Sequence, residues 1–365
     1  MMGLVSDLEY INRALDLAER GKGTTSPNPM VGAVVVREDG TIVGQGYHER
    51  AGGPHAEVRA LAEAGELARG ASLYCTLEPC SHVGRTGPCV ERVVAAGISR
   101  VVSSTEDPNP LVAGRGFEFL RRKGVEVIVG PGRERAARLN RAFFAFMHHG
   151  RPFVIVKATT SLDNAVAGQA GHRTHLSSAE SLRHAHAIRA EVDAIGVGSE
   201  TVLVDDPMLT AREIPRARPL TRVIFDRRLR TPASARLLST LDAGPVIIVT
   251  TPDSLADHPD RVRDLERAGA QLEPVGGTDL EGALKRLGKR EVVSLLVEGG
   301  PTLQRAVASA GLVDAVHLYI APAVLGSQGV RWLDTDEMRI AALSERRVMP
   351  CGPDVFMEGY VYRAD

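Results

Sequence analysis

Four cysteines, one tryptophan and an aromatic share of 4% are what this 365-residue chain has little of. So few cysteines in so long a chain argue against a disulfide framework. No apolar run approaches the roughly twenty residues of a membrane-spanning helix. The stretch Met1-Met2-Gly3-Leu4-Val5-Ser6-Asp7 lacks the basic region and apolar core of a secretory leader, so the expected location is the cytoplasm. Lysine and arginine total 44 against 45 aspartate and glutamate, which gives no broad positive footprint for nucleic acid. The sparse aromatics also remove the stacking platforms that single strands need. What is present is a hydrophobic share of 44% with ordinary charge content, the composition of a globular protein, and a length that suits about two domains.

Two of the scarce cysteines stand where a metal would need them. His55-Ala56-Glu57 is followed by Pro79-Cys80 and then Cys89. Three ligands from His55, Cys80 and Cys89 leave a zinc ion one position for water, which ionises near neutral pH. Glu57, two residues past the histidine at the start of a helix, is then placed to take the water's proton and hand it to a leaving amine, as in a zinc deaminase. Eight residues rather than two separate the cysteines, a departure from the commoner deaminase spacing. Cys75, in an apolar run over 71–77, is expected on a buried strand, and Cys351 in a Pro/Gly-bounded turn; neither joins the site.

In the first half the periodicity predicts a helix over 8–20, strands over 31–36 and 41–46 joined at Asp39-Gly40, and a helix over 56–68. That helix is expected to bury Val58, Leu61, Ala62 and Leu67. Strands over 72–77, 100–104 and 125–129 then alternate with helices over 89–96 and 115–123, an α/β layered domain. The Gly/Pro break after His148-His149 places a boundary between domains 1–149 and 150–365; the two histidines fit a solvated helix end. In the second half, strands over 153–157, 194–198, 221–225, 246–249 and 294–297 predict a mostly parallel sheet. Ligands of such sheets gather at the carboxyl ends of the strands, where Lys157, Gly196-Val197-Gly198-Ser199-Glu200-Thr201 and Val297-Glu298-Gly299-Gly300-Pro301-Thr302-Leu303 fall. Glycines there let backbone N–H groups approach a pyrophosphate at a helix N-terminus. Arg227 and Arg228, after the strand ending at Asp226, suit a ribose 2′-phosphate or equally a solvated turn.

The flanking residues carry a resemblance. Thr76-Leu77-Glu78-Pro79-Cys80-Ser81-His82, Gly84-Arg85-Thr86-Gly87-Pro88-Cys89, Pro27-Asn28-Pro29, Gly46-Tyr47-His48 and Asp107-Pro108-Asn109-Pro110 resemble the deaminase half of the bifunctional riboflavin-biosynthesis deaminase/reductase family, in which the wider cysteine spacing is the expected one. Lys157, Ser161-Leu162-Asp163, Thr201-Val202-Leu203-Val204-Asp205-Asp206-Pro207, Leu209-Thr210 and residues 297–302 are similar to its reductase half. The resemblance implies a cytidine-deaminase-like domain followed by a dihydrofolate-reductase-like one, with zinc and NADPH as cofactors. It implies deamination of a diamino-pyrimidinone ribosyl phosphate, then reduction of the ribosyl chain to ribityl. On the deaminase side it assigns Asn28, His48, His82, Arg85, Asp107 and Asn109 to the substrate. On the reductase side it assigns Lys157 and Asp205 to substrate and proton handling. Arg173, Arg189, Leu209, Arg212 and Glu298 would meet the substrate, and Thr159, His175, Thr201, Asp205, Arg227, Gly299, Gly300, Pro301 and Thr302 the cofactor.

Three positions depart from that family's pattern. Asn164-Ala165 stand where Gly-Arg usually follows Ser-Leu-Asp, and His175 where a tryptophan usually leads into the next helix. A lost glycine restricts the backbone and a lost indole changes a packing surface, so a modified cofactor pocket is expected. A deaminase-only protein, a nucleic-acid base deaminase and a protein with structural zinc are the rival readings. Composition disfavours the second, and the lack of a local fourth ligand the third. A symmetric oligomer is the expectation for such an enzyme.

Overall fold

Ser6 starts the first helix by donating its backbone N–H to the Glu9 carboxylate at 2.9 Å, half of a capping box. The computed structural model describes residues 6–81, 87–109, 112–212, 214–333 and 343–361. Up to His149 these form one compact unit, and from Gly150 a second.

The first unit runs α1 (Asp7–Glu19), β1 (Gly32–Val36), β2 (Ile42–Tyr47), α2 (Ala56–Ala64), β3 (Ser72–Cys75), α3 (Cys89–Ala95), β4 (Arg100–Ser103), α4 (Arg115–Arg122), β5 (Glu126–Val129), α5 (Arg133–Leu139) and α6 (Arg141–His149). Its sheet has the order β2-β1-β3-β4-β5, with β1 antiparallel to both neighbours and β3, β4 and β5 parallel. Cys75 lies fully buried at the end of β3, as the apolar run suggested.

The face of α2 differs from expectation. Ala56, Glu57, Ala60, Leu61 and Ala64 are buried, while Ala62 and Leu67 are exposed, and the helix gives way to a 3-10 turn over Gly65–Ala68. The cause is contact with β2. A Cβ on Gly44 would lie 2.1 Å from the Ala60 carbonyl oxygen and one on Gly46 2.8 Å from that of Ala56. Strand glycines and helix alanines thus let the backbones approach closely, and this close approach outweighs the larger apolar side chains in choosing the buried face.

The second unit runs β6 (Phe153–Thr160), β7 (Ala165–Ala167), α7 (Ala179–Glu191), β8 (Ala194–Gly198), α8 (Ser199–Asp205), β9 (Thr221–Phe225), β10 (Val246–Thr250), α9 (Pro252–Asp257), α10 (Pro259–Arg267), β11 (Ala270–Pro274), α11 (Leu280–Lys289), β12 (Ser294–Gly299), α12 (Pro301–Ser309), β13 (Ala315–Ile320), β14 (Val330–Arg331), β15 (Ser344–Cys351) and β16 (Asp354–Tyr360). Nine strands form one sheet in the order β11-β10-β9-β8-β12-β6-β13-β16-β15. It is parallel from β11 through β13, and β16 and β15 close it antiparallel. The antiparallel end was not legible in the sequence, because edge strand β15 is exposed at most positions and shows no alternation. Cys351 is accordingly the buried last residue of β15; the turn begins one residue later, at Gly352 with φ 62°.

Asn164 accounts for one departure from the family pattern. Its φ is 61°, the left-handed region that glycine enters freely and asparagine tolerates better than other side chains. Its amide donates to the Leu333 carbonyl at 3.1 Å and its own carbonyl accepts from the Trp332 N–H at 3.0 Å, so the turn keeps its shape without the glycine.

Candidate functional site

The end of β3 and the starts of α2 and α3 bring three ligand atoms together. His55 caps α2 in extended backbone, Glu57 sits in its first turn, Cys80 follows β3, and Cys89 opens α3. His55 Nδ1 lies 3.2 Å from Cys89 Sγ and 3.5 Å from Cys80 Sγ, and the Cys89 N–H donates to Cys80 Sγ at 3.4 Å. All three ligand atoms fall within 4.8 Å of one another, and among the described residues no other such His/Cys/Asp/Glu group occurs. One nitrogen and two sulfurs at this spacing suit Zn2+, with no fourth protein ligand in the group.

The thiols are prepared unequally. The hydrogen bond from the Cys89 thiol, then that of His55, holds Cys80 down at about 4 against its burial. The same bond, then burial, pushes Cys89 up. Without metal the pair shares one proton, as coupled groups do. His55 is raised by its bond to Cys80, against burial. Burial also raises Glu57, which is only 3% exposed and so keeps its proton more readily than an ordinary glutamate.

Asn28, His48, Asp107 and Asn109 are also in the first unit. His48 is buried with Nδ1 3.1 Å from the Pro54 carbonyl, so Nδ1 carries the proton and Nε2 accepts from the Asn28 amide at 3.1 Å. Its ring meets that of His55 edge-on at 5.4 Å. Asp107 accepts from the Asn109 N–H at 2.9 Å, yet burial pushes its carboxyl up to about 7. His82 and Arg85 lie outside the described residues. Glu78 has a role that its place in the sequence does not announce: this buried carboxylate accepts backbone N–H groups of Asp107, Gly114, Gly116 and Phe117 at 2.8–3.3 Å. His148 and His149 are exposed and belong to no ligand group.

In the second unit a cavity of about 1420 Å³ opens along the carboxyl ends of the strands. Lys157, Thr159, Arg173, His175, Arg189, Thr201, Asp205, Leu209, Arg212, Arg227, Arg228, Glu298, Gly299, Gly300, Pro301 and Thr302 all line it. Glu298, at the end of β12, takes a bidentate pair of bonds from Arg189 of α7, both 2.6 Å, and Arg189 also donates to the Thr210 carbonyl at 3.0 Å. Burial opposes the Glu298 charge, but the guanidinium outweighs it and holds the carboxyl down at about 2. Lys157 Nζ stands 5.2 Å from the centre of the Tyr319 ring, and burial lowers its pKa, with Arg189 adding to the fall and Glu298 opposing it. Asp205 is raised by burial against Arg173, which approaches at 3.8 Å, and His175.

Close packing fixes the glycine turn. A Cβ on Gly299 would meet Thr201 Oγ1 at 3.1 Å and one on Gly300 at 3.4 Å, so both keep room beside α8 where α12 begins. Arg227 and Arg228 are exposed on the cavity rim. Sequence reading missed Gln304. It is buried, donates to the Lys157 and Val297 carbonyls at 2.7 and 3.2 Å, and accepts from Trp332 Nε1–H at 2.7 Å. A single amide beside Arg305 on a short helix gives no signal of that role. His186 was missed too, though it lies one turn before Arg189 on α7.

A zinc-type hydrolytic centre in an α/β layer, and a nucleotide-sized cleft at the carboxyl ends of a parallel sheet, define the chain as a two-part enzyme. Residues 5–105 match the cytidine and deoxycytidylate deaminase zinc-binding region, and residues 152–357 the RibD C-terminal domain. The riboflavin biosynthesis protein RibD of Aquifex aeolicus is 44% identical over 320 residues, 88% of each chain. The solved structure of Acinetobacter baumannii RibD, form 1, is 34% identical with a TM-score of 0.86, covering 98% of this chain and 99% of its own. A diaminohydroxyphosphoribosylaminopyrimidine deaminase/5-amino-6-(5-phosphoribosylamino)uracil reductase from Thermotoga maritima is 31% identical with a TM-score of 0.82, covering 97% and 98%. The chain belongs to the RibD family of riboflavin biosynthesis proteins. That membership supports a deaminase and a reductase activity; the His/Cys/Cys group fits Zn2+ and the second unit fits NADPH. Among the described residues no helix is long and apolar enough to cross a membrane.

Proposed function

We propose that the first unit deaminates 2,5-diamino-6-ribosylamino-4(3H)-pyrimidinone 5′-phosphate and that the second reduces the ribosyl group of the product to ribityl, giving 5-amino-6-(5-phospho-ribitylamino)uracil. The observation that carries the reading is the grouping of His55, Cys80 and Cys89 beside buried Glu57. His55, Cys80 and Cys89 would hold zinc, which would supply the acidity that makes water a nucleophile near neutral pH. Glu57 takes the water's proton as oxygen adds to C2, and returns it to the amine as the C–N bond breaks and ammonia leaves. A carboxylate raised by burial suits both transfers. His48 and Asn28 form a polar edge for the pyrimidine, Asp107 and Asn109 hold the ribosyl side, and His82 and Arg85 complete the phosphate contacts.

In the second unit NADPH supplies the hydride. Thr159, His175, Thr201, Arg227 and residues 299–302 are the residues we assign to it, and the start of α12 would offer its N–H groups to the phosphates. Lys157, kept short of full basicity by burial, holds a proton at Nζ beside the opened ribosyl group, and Asp205 orients the reacting end with Arg173. Glu298 meets a ribosyl hydroxyl, Leu209 packs on the pyrimidine, and Arg189 and Arg212 receive the substrate phosphate. The near-neutral charge supports a small-molecule substrate over nucleic acid, and we place the enzyme in the cytoplasm.

The test is a coupled assay of zinc-loaded protein with the diamino-pyrimidinone phosphate, following ammonia and NADPH absorbance together. Ammonia followed by NADPH oxidation is expected. Ammonia alone would leave a deaminase with an inactive second unit, and neither signal would overturn the reading.

A further inference from the structure

His186 is a cavity-lining residue with no role in the reading above. It lies on α7 three residues before Arg189, so both project from the same side of the helix. Each reaches the segment that carries Leu209 and Arg212. Arg189 donates to the Thr210 carbonyl at 3.0 Å, and the Arg212 backbone N–H donates to His186 Nδ1 at 3.1 Å. Arg189 is itself clamped on Glu298, so α7 ties this segment to the end of β12 at two points one peptide apart. The segment needs the restraint, since Leu209 has φ 52°, a left-handed backbone unfavourable for leucine, and is 4% exposed.

The geometry points to His186 as a positioning residue of the reductase: its Nδ1 fixes the Arg212 backbone so that the guanidinium is held ready for the substrate's phosphate. This deepens the proposed reductase reading and rests on it. Only an unprotonated Nδ1 accepts that bond, which places the ring proton on Nε2. The charged groups facing the ring are Arg189 on its own helix, Arg212 on the segment and Glu298 from β12. Burial first, then the two arginines, lowers its pKa, while Glu298 and the Thr210 backbone oppose the fall; the imidazole is therefore neutral at pH 7 and accepts.

The test compares three variants for steady-state reduction of the deaminated ribosyl phosphate by NADPH. Asparagine places an acceptor oxygen where Nδ1 stands, glutamine offers its amide where Nε2 stands, and leucine offers neither. His186→Leu and His186→Gln are expected to raise the KM for the phosphorylated substrate about tenfold, the scale of one lost hydrogen bond, with kcat within about twofold. His186→Asn is expected to stay near the unsubstituted enzyme, and deaminase turnover is expected unchanged in all three. A second readout is acid pH. The substrate phosphate loses charge near pH about 6 in every case. The ratio of unsubstituted to His186→Asn KM should therefore rise as pH falls below the ordinary imidazole range, because only the imidazole loses its acceptor. Rescue by glutamine but not asparagine, an unchanged KM in the leucine variant, or a flat ratio would overturn the assignment. If the leucine variant unfolds, the asparagine and glutamine pair and the ratio still decide. Absence of NADPH turnover in the unsubstituted protein would overturn the reductase reading itself, and this assignment with it.

Discussion

The carboxylate of Glu78 accepts the backbone N–H of Gly116 at 2.8 Å, and with it those of Asp107, Gly114 and Phe117. One buried side chain two residues before Cys80 thus organises the loop that carries Asp107 and Asn109. Glycine is required in return, since a Cβ at position 116 would lie 2.2 Å from the Pro79 carbonyl oxygen.

Replacing Glu78 by glutamine removes the charge and turns one acceptor into a donor facing N–H groups. A loss of about 2–3 kcal/mol of stability in the first unit is expected, the scale of charge-assisted bonds. Deaminase KM should rise while zinc content stays stoichiometric. Unchanged KM and melting would mean that water replaces the carboxylate.

Zinc binding should release protons. Without metal, Cys89 holds one that Cys80 does not, and His55 is raised above its ordinary value. Both thiols and the imidazole must be free to ligate. Calorimetry of zinc added to stripped protein in buffers of different ionisation enthalpy should report at least about one proton released per zinc at pH 7. Zero release would contradict the shared-proton arrangement.

Glu298 and Arg189 form a largely buried pair whose loss is asymmetric. Glu298→Gln strands the guanidinium, and about 3–5 kcal/mol of destabilisation is expected in the second unit. The folded carboxyl is held at about 2 against an ordinary 4.5, so its contribution is fully present above about 4.5 and disappears as pH falls toward 2. Acid titration of the melting temperature should show that loss in the unsubstituted protein and a flatter curve in Glu298→Gln.

Gly44→Ala places a methyl 2.1 Å from the Ala60 carbonyl oxygen. It should push α2 from β2, cost about 1–3 kcal/mol as overpacking does, and lower zinc occupancy, because His55 and Glu57 ride on that helix. Metal analysis beside thermal melting separates this from simple unfolding.

Asn164→Gly should change stability by less than about 1 kcal/mol, since glycine adopts the same φ of 61° but forgoes the bond to Leu333. Asn164→Val, β-branched in a left-handed position, should cost more and weaken NADPH binding, measured by fluorescence titration. Equal melting of the two would show that backbone strain does not govern this turn.

The grouping of His55, Cys80 and Cys89 was legible along the chain. A histidine before a helix, a carboxylate in its first turn and two Pro-Cys pairs are chemical types at short separations, and local structure is enough to order them. The parallel strands of the second half were legible for a similar reason, as continuous apolar runs report burial on both faces. The buried face of α2 was not, because it is set by glycines of another element, and β15 was not, because an exposed edge leaves no periodic trace. Arg189 meets Glu298 across 109 positions and His186 holds Arg212 across 26, contacts that follow from the fold alone. Neither contact has a sequence spacing to read. Each exists because β12, α7 and the segment after α8 converge at the carboxyl end of one sheet, and only the fold brings them there.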